Sequence, residues 1–436
     1  MSVQVQQPTP LTREHRRVLA GSMVGTTIEW FDFFIYAQAA GLIFAAQYFN
    51  PANNESPALA QVVAWASLGI SFLFRPLGAI AAGHLGDKFG RKKVLVLTLF
   101  GMGGATVCMG LLPTYEQIGL AAPIFLVLLR VIQGFSAGGE WGGAALLSVE
   151  HAPTHRRGYF GAYPQVGVPA GMLLATIFIL ILTSVLTPEQ FDAWGWRIPF
   201  VSSIIMIGIG MYIRRLVEES PVFSELQELK KESSAPLSVL FKNYTGLVIK
   251  AALIFAGINA AGYLAIAFFS SYGAKVLGMP RSQVLAITAL GAISWIIGTL
   301  YFGGFSDRFG RVRTFVWGYI GMIAWAIPTW MLIDTANFWL FSISVIVLGL
   351  LMGATYGPQA ALYAEMFPAK IRLSGVSIGY AIGSVLGGAF APMIAQMLLN
   401  KTGNSLSIGL YIAVMSLISL LAVMRVDPRI QGSTLH

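Results

Sequence analysis

The sequence predicts an all-α membrane protein, with twelve transmembrane helices in two six-helix bundles related by pseudo-twofold symmetry. Three observations carry that expectation. Hydrophobic residues make up 56% of the chain and charged residues only 11%, against roughly a quarter charged in a soluble domain, so most of the chain avoids water. The apolar residues fall into stretches of about 20 or more, the length that crosses the hydrocarbon core of a bilayer. Finally, the turn GHLGDKFGRKK at 83–93 returns as GGFSDRFGRVR at 303–313, 220 residues later. Gly83, Asp87 and Phe89-Gly90-Arg91 are matched by Gly303, Asp307 and Phe309-Gly310-Arg311.

Twelve stretches qualify as spans: roughly 18–46, 60–86, 93–113, 120–149, 158–186, 196–213, 247–276, 283–305, 313–333, 338–364, 373–399 and 405–425. Several exceed the minimum length, so tilt or kinks are expected. Barrel strands would be shorter and alternating, which these uninterrupted runs exclude. The net charge is +9, and its placement orients the chain. Basic residues gather at Arg13, Arg16 and Arg17 and in the turns 88–93, 156–157, 214–242, 308–313 and 370–372. The opposite loops hold only Arg197, Lys275, Arg281 and Lys401. The positive-inside rule makes the crowded side cytoplasmic, and twelve spans then leave both termini inside, in a bacterial cytoplasmic (inner) membrane. Charge split among short membrane turns is not the single basic face of a nucleic-acid binder.

Cys108, the one cysteine, rules out an intramolecular disulfide and a cysteine-based zinc cage. The first 17 residues are polar, and the long apolar stretch after Arg17 reads as a helix that stays rather than a removed signal peptide.

A second echo supports the duplication. Glu150-x-x-Pro153-x-x-x-Arg157 closes the fourth span and Glu365-x-x-Pro368-x-x-x-Arg372 the tenth, 215 residues apart. The expected organisation is therefore a first bundle over 1–213, a cytoplasmic linker over 214–246 with a short amphipathic helix around 221–231, and a second bundle over 247–436. Parallel repeats of this kind bind substrate between the halves, near the bilayer midplane.

The Gly-x-x-x-Asp-(Lys/Arg)-x-Gly-Arg turn resembles the signature of the major facilitator superfamily, and the likeness runs over essentially the full chain. Within it, GTTIEWFDFFIYA (25–37), FLFRPLGAIAAGHLGD (72–87), RVIQGFSAGGEWGGAALLSVE (130–150), WGWRIPF (194–200) and EESPVF (218–223) resemble the metabolite:proton symporter family. That resemblance implies a symporter carrying a small metabolite with protons. The family's substrates are mostly organic acids such as oxoglutarate, citrate, shikimate or aromatic acids, and in one branch betaines and proline. The betaine-sensing branch is less similar, because after the twelfth span this sequence has only VDPRIQGSTLH (426–436) and no coiled-coil tail.

An ionised group at the bilayer centre costs about 2.5–3.5 kcal/mol on insertion scales, so each one is a functional candidate. Five lie well inside predicted spans, all in the first half: Glu29, Asp32, Arg75, Arg130 and Glu140. Glu29 and Asp32 are three apart and share a helix face with Tyr36, where two carboxylates in a low dielectric repel and one is driven toward protonation. In the resembling proton-coupled sugar porters an Asp on the first span pairs with an Arg on the fourth, and Asp32 and Arg130 match those positions. The resemblance thus implies that protonation of Asp32 releases Arg130, the alternative being a fixed bridge. Arg75, directly before Pro76, offers a bidentate fork to a carboxylate substrate or serves as the partner of Glu29. Glu140 lies about 15 Å deeper than Arg130, as a second proton site or a structural partner for a neighbouring helix.

Candidate cavity residues are Tyr36, Gln133, Gln165, Asn259, Tyr263, Tyr356, Gln359 and Tyr380, joined by Arg75 and Arg130. Asp87, Arg91, Glu150, Asp307, Arg311 and Glu365 lie at the cytoplasmic ends, where the superfamily likeness implies gate ion pairs that break on opening. The five histidines sit at helix ends or tails, and Pro153 interrupts the His151/His155 spacing, so neither a metal site nor a Ser-His pair is expected. An enzyme is thereby disfavoured, and no cofactor is expected. A channel or receptor leaves the duplication with buried carboxylates unexplained. A proton-independent facilitator is the nearest alternative, and a zwitterion symporter the next. The expected partners are protons, a small metabolite (a carboxylate by resemblance) and the lipid bilayer, with one chain acting as a monomer.

Overall fold

The computed structural model describes residues 13–49, 56–89, 91–138, 140–150, 152–218, 237–368, 371–433 and 435, and no strand occurs among them. Twelve spanning units follow in order. In the first half, α1 is Arg13–Ala39, continued by a π-helical turn Ala40–Phe44 and by Ala45–Gln47. Next come α2 (Pro57–Phe89), α3 (Arg91–Leu111), α4 (Ala121–Ser136, then Glu140–Glu150), α5 (Arg157–Val185) and α6 (within Pro188–Ile213). In the second half, α7 is Thr245–Tyr263 followed by a π-helical turn Leu264–Phe268 and Phe269–Lys275. There follow α8 (Arg281–Phe309), α9 (Arg311–Ile333), α10 (Phe338–Tyr356, then Gln359–Met366), α11 (from Arg372–Gly383 through a π-helical turn Ser384–Ala389 to Ala391–Thr402) and α12 (Leu406–Val423).

Eleven of these units are long and apolar enough to cross a membrane. For the twelfth, α3, the described apolar part is Val96–Leu111. Several helices overrun the apolar stretches that predicted them. For α2 and α8 the helix continues past the apolar stretch into polar sequence, where the backbone still bonds to itself. In α6 the helical path begins at Pro188, earlier than the expected 196. Thr187 accepts from Gln190 N at 3.2 Å while Gln190 Oε1 accepts from Thr187 N at 3.1 Å, a reciprocal cap that starts the helix in polar sequence. In the expected linker, Leu237–Asn243 is helical, and the helix expected at 221–231 lies outside the described residues.

The duplication is visible in the packing. Within the first half α4 crosses α2 on glycines: a Cβ on Gly134 would stand 1.9 Å from Ser71 O, and one on Gly138 2.4 Å from Arg75 O. In the second half α10 crosses α8 in the same manner, with Gly353 against Gly298 and Gly357 against Thr299. Without side chains at these points the backbones touch, the geometry that holds helices together where the hydrophobic effect gives no drive. Both crossings lie beside the break in the split helix. The apolar windows of α1 and α7 are 100% and 94% buried, against 28–56% for the other windows, so this pair forms the centre. Exposed apolar side chains such as Val185, Ile205 and Trp339 belong on the lipid-facing rim.

Candidate functional site

Between the halves lies a contracted cavity of about 20 Å³, lined by Trp30 of α1, Phe255, Asn259 and Tyr263 of α7, Trp295 of α8, Tyr356 of α10 and Tyr380 of α11. It has room for about one water and none for a metabolite. Of the expected cavity residues, Asn259, Tyr263, Tyr356 and Tyr380 stand here. Tyr380 is sandwiched between Trp141 (3.7 Å between ring centres) and Phe255 (4.5 Å), so α4 and α11 meet through stacked rings.

Gln165 and Gln359 instead join the halves. Gln165 Nε2 donates to Tyr356 O at 3.0 Å and to Gln359 Oε1 at 3.2 Å, and its Oε1 accepts from Trp141 Nε1 at 2.9 Å.

Asp32 and Arg130 do not form the direct pair that the family likeness implied. Asp32, 2% exposed, accepts from Ser203 Oγ of α6 at 2.7 Å and from Thr106 Oγ1 of α3 at 3.3 Å. Arg130 donates to Leu68 O at 2.8 Å, to Ser67 O at 3.5 Å and to Gln133 Oε1, and its guanidinium lies 4.0 Å from the centre of the Tyr36 ring. Gln133 Nε2 donates to Thr106 Oγ1 at 3.0 Å, completing a relay Asp32–Thr106–Gln133–Arg130. The orientation of the Gln133 amide is fixed by its neighbours, since a flip would face its NH₂ to the guanidinium. Thr106 has one hydrogen for two acceptors, Asp32 Oδ2 and Met102 O at 3.0 Å. An ionised Asp32 draws that hydrogen. A protonated Asp32 can donate to Thr106 instead, sending the threonine hydrogen to Met102 O. Tyr36 closes the group: Ser67 Oγ gives its hydrogen to Ala64 O at 2.6 Å, so Tyr36 donates to Ser67 at 2.7 Å.

The two carboxylates of α1, expected on one face, have different neighbours. Asp32 is held by α3 and α6, whereas Tyr263, Tyr356 and Tyr380 stand close enough to Glu29 and Arg75 to feel both charges. Arg75, 5% exposed, lies 4.3–4.7 Å from the ring centres of Phe33, Phe72 and Trp30, and its Nε and Nη2 make no hydrogen bond. Glu140 accepts from Thr98 of α3 at 3.2 Å, a contact with a neighbouring helix.

At the basic end the halves are closed by charge. Glu365 accepts from Arg311 at 2.6 Å and 3.1 Å and pairs across the interface with Arg157 at 3.4 Å, and Glu150 pairs across it with Arg372 at 3.5 Å. Asp307, bonded to Arg311 at 2.9 Å, accepts from Gly158 N at 2.8 Å and Tyr159 N at 2.9 Å, amides in the first turn of α5. A carboxylate there also meets the positive end of the helix dipole. The side chains of Asp87 and Arg91 lie outside the described ones.

Sequence reading missed the tail, which lies over this gate. Ser433 O accepts from Arg157 at 2.7 Å, Leu435 O accepts from Arg372 at 2.8 Å, and Gly432 N donates to Glu365 at 3.3 Å. Gln431 accepts from Arg311 N at 3.0 Å. No apolar period or charge run in 427–435 marked it.

The far end is closed too, by residues that sequence reading also missed. Ala40 O and Gly41 O in the π-turn of α1 accept from Gln61 Nε2 and Ser271 Oγ, each at 3.0 Å, and Ile266 O in the π-turn of α7 accepts from Gln38 Nε2 at 3.0 Å. A π-turn breaks the i→i−4 register and leaves carbonyls available to neighbours, so each central helix offers acceptors at its bulge and donors beside it. Lys275 donates to Gln61 at 2.7 Å, and Arg281 pairs with Asp192 at 2.6 Å. Among the described residues no group of histidine, cysteine and acidic side chains has a metal-holding arrangement.

A family model described as "Sugar (and other) transporter" matches residues 18–242, and one described as "Major Facilitator Superfamily" matches residues 296–434. A shikimate transporter of Escherichia coli (strain K12) is 38% identical over 410 residues, covering 93% of this chain and 92% of its own. An inner membrane metabolite transport protein of the same strain is 38% identical over 424 residues, covering 96% and 95%. Among solved structures, a D-xylose–proton symporter superposes with a TM-score of 0.72 at 17% identity, over 96% of this chain and 99% of that one, a likeness of fold.

Proposed function

The chain belongs to the major facilitator superfamily, whose members are transporters and not enzymes, and on that premise we propose that it is a proton-coupled symporter importing a small organic acid by alternating access. The observation that carries the proton is the relay from Asp32 through Thr106 and Gln133 to Arg130. It links a buried carboxylate on α1 to the guanidinium that ties α4 to the α2 carbonyls Ser67 O and Leu68 O. Proton arrival at Asp32 reverses the Thr106 bond, weakens the hold of the relay on Gln133 and Arg130, and loosens α1 against α3 and α4. Arg75 supports an anionic substrate: it is a buried guanidinium with two unbonded donors beside the cavity wall. The shikimate carried by the relative of that name is itself an organic acid.

The rocking units in this reading are residues 1–213 and 247–436, joined by 214–246, with one chain sufficient for transport. The crowding of basic residues in the turns at one end supports a reading in which the gate of Glu150, Arg157, Asp307, Arg311, Glu365 and Arg372, and both termini, face the cytoplasm across a bacterial inner membrane. With both ends closed and the cavity contracted, the described conformation is one the carrier passes through when unloaded. Proteoliposome uptake of Asp32→Asn tests the proposal. Accumulation driven by a pH gradient should vanish while counterflow exchange persists. Gradient-driven accumulation at the parent level would remove Asp32 from the coupling.

A further inference from the structure

A second cavity, of about 260 Å³, lies away from the centre, at the basic end. Its walls are residues 308–313, where α8 turns into α9, Leu362 and Glu365 of α10, and Pro428, Ile430 and Gln431 of the tail. We infer that this cavity holds the headgroup of an anionic phospholipid, whose acyl chains lie along an exposed aromatic face of α8 and α9.

The charge of the headgroup is read from the walls. Three arginines line the cavity, Arg308, Arg311 and Arg313, against one acid, Glu365. Arg311 is spent: it is 2% exposed, bonds both oxygens of Glu365 at 2.6 Å and 3.1 Å, and pairs with Asp307 at 2.9 Å. Glu365 is spent too, since Arg157 and Gly432 N also approach it, at 3.4 Å and 3.3 Å. Arg308 and Arg313 are exposed, and neither side chain has an ion pair or hydrogen bond among the described residues. Two guanidinium groups on one cavity with no acid left to answer them suit a phosphate, whose oxygens accept the paired donors of each fork. The first turn of α9 forms part of the same wall, and helix amides there have no helical partner. A zwitterionic headgroup fits less well, because its cation finds no free carboxylate among the lining residues.

The lipid body is read from the rim. Phe309 lines the cavity and stacks on Phe305 at 4.3 Å between ring centres. Phe305 in turn lies 5.9 Å from Tyr301 and 6.0 Å from Trp317 of α9. Tyr301, Phe309 and Trp317 are 62%, 51% and 53% exposed, so this ladder faces outward, over about 12 Å along α8. In a membrane-spanning helix that face meets acyl chains, and aromatic rings at such a border sit at headgroup level. A free phosphate would satisfy the arginines and leave the ladder without a role. A lipid occupies both at once, as basic pockets at the ends of spanning helices do for anionic headgroups.

Native mass spectrometry of the purified full chain in a neutral detergent tests the site. The probes are dioleoyl phosphatidylglycerol and dioleoyl phosphatidylcholine, titrated separately. The first phosphatidylglycerol should be retained at a concentration at least tenfold lower than the first phosphatidylcholine. Arg308→Gln with Arg313→Gln should weaken phosphatidylglycerol retention at least fivefold. Arg215→Gln with Lys242→Gln removes two exposed basic residues of the same end that do not line the cavity, and should leave retention within twofold. Phe309→Ser should weaken it at least threefold, and millimolar inorganic phosphate should leave it within twofold. An unchanged melting temperature shows that each variant is folded. Equal retention of the two lipids, or equal losses in the two double variants, would overturn the inference. So would displacement of the lipid by inorganic phosphate, which marks a free-anion site, or full retention in Phe309→Ser.

Discussion

Asp307→Asn is the substitution that most directly tests how the basic end is held shut. Asp307 accepts from the amides of Gly158 and Tyr159 at 2.8 Å and 2.9 Å, across the interface between α8 and α5. Opening that end separates α5 from α8 and loses both bonds, while the Arg311 pair, inside one half, stays. Hydrogen bonds to a charged group contribute about 1.5–3 kcal/mol each, and the α5 dipole adds a few tenths or more. Asparagine keeps one acceptor oxygen, loses the charge and turns an NH₂ toward a backbone N–H. The closed state should therefore lose about 2–4 kcal/mol relative to the open one. At 1.4 kcal/mol per decade, that shifts the equilibrium about 30- to 700-fold toward opening.

Ser306→Cys in a Cys108→Ser background gives the readout. Ser306 is fully buried at the same crossing, where a Cβ on Gly158 would stand 2.6 Å from its Oγ, whereas Cys108 is exposed. Thiol labelling at position 306 should accelerate at least tenfold when Asp307→Asn is added. Labelling within twofold of the parent, with an unchanged melting temperature, would refute the assignment of Asp307 as a gate residue.

Three further outcomes are expected. Thr106→Val removes the hydroxyl that joins Asp32 to Gln133 at nearly constant volume, so pH-gradient-driven accumulation should fall tenfold or more while counterflow stays within threefold, measured in proteoliposomes. Removing residues 427–436 takes away the carbonyls that Arg157 and Arg372 bond and the amide on Glu365, so the same Ser306→Cys reporter should label faster without Asp307→Asn. Arg281→Ala breaks a pair whose side chains are 30% and 46% exposed, a class worth under about 1 kcal/mol, so uptake should stay within about threefold of the parent, checked by initial rates.

Much of the fold was legible in the chain. The repeated turn and the Glu-x-x-Pro-x-x-x-Arg echo predicted the duplication, and the structure returns it as matching glycine crossings at Gly134/Gly138 and Gly353/Gly357. The candidate site was legible as residue types. Asp32, Arg75 and Arg130 stand out because charge in an apolar run is expensive, so its presence alone is information. Partners were not legible. Thr106 and Ser203 are ordinary helix residues in sequence, and nothing about them signals a bond to Asp32 until α3 and α6 pack against α1. Gln38 and Gln61 meet π-turn carbonyls, and a change of hydrogen-bond register carries no composition signal.

Sequence by itself thus determined what depends on solvent: which stretches avoid water, how many cross the bilayer, that the chain is built twice, and which charges lie where charge is costly. These are one-body properties, each set by a residue and its near neighbours along the chain. Tertiary structure decided every pairing: that Asp32 reaches Arg130 through Thr106 and Gln133, that Arg130 is enclosed while Arg75 keeps donors open, and that the tail lies across the gate. Pairings depend on helix rotation and on crossings set by distant glycines. A turn of a few tens of degrees about one helix axis would exchange one partner for another without altering a single apolar stretch.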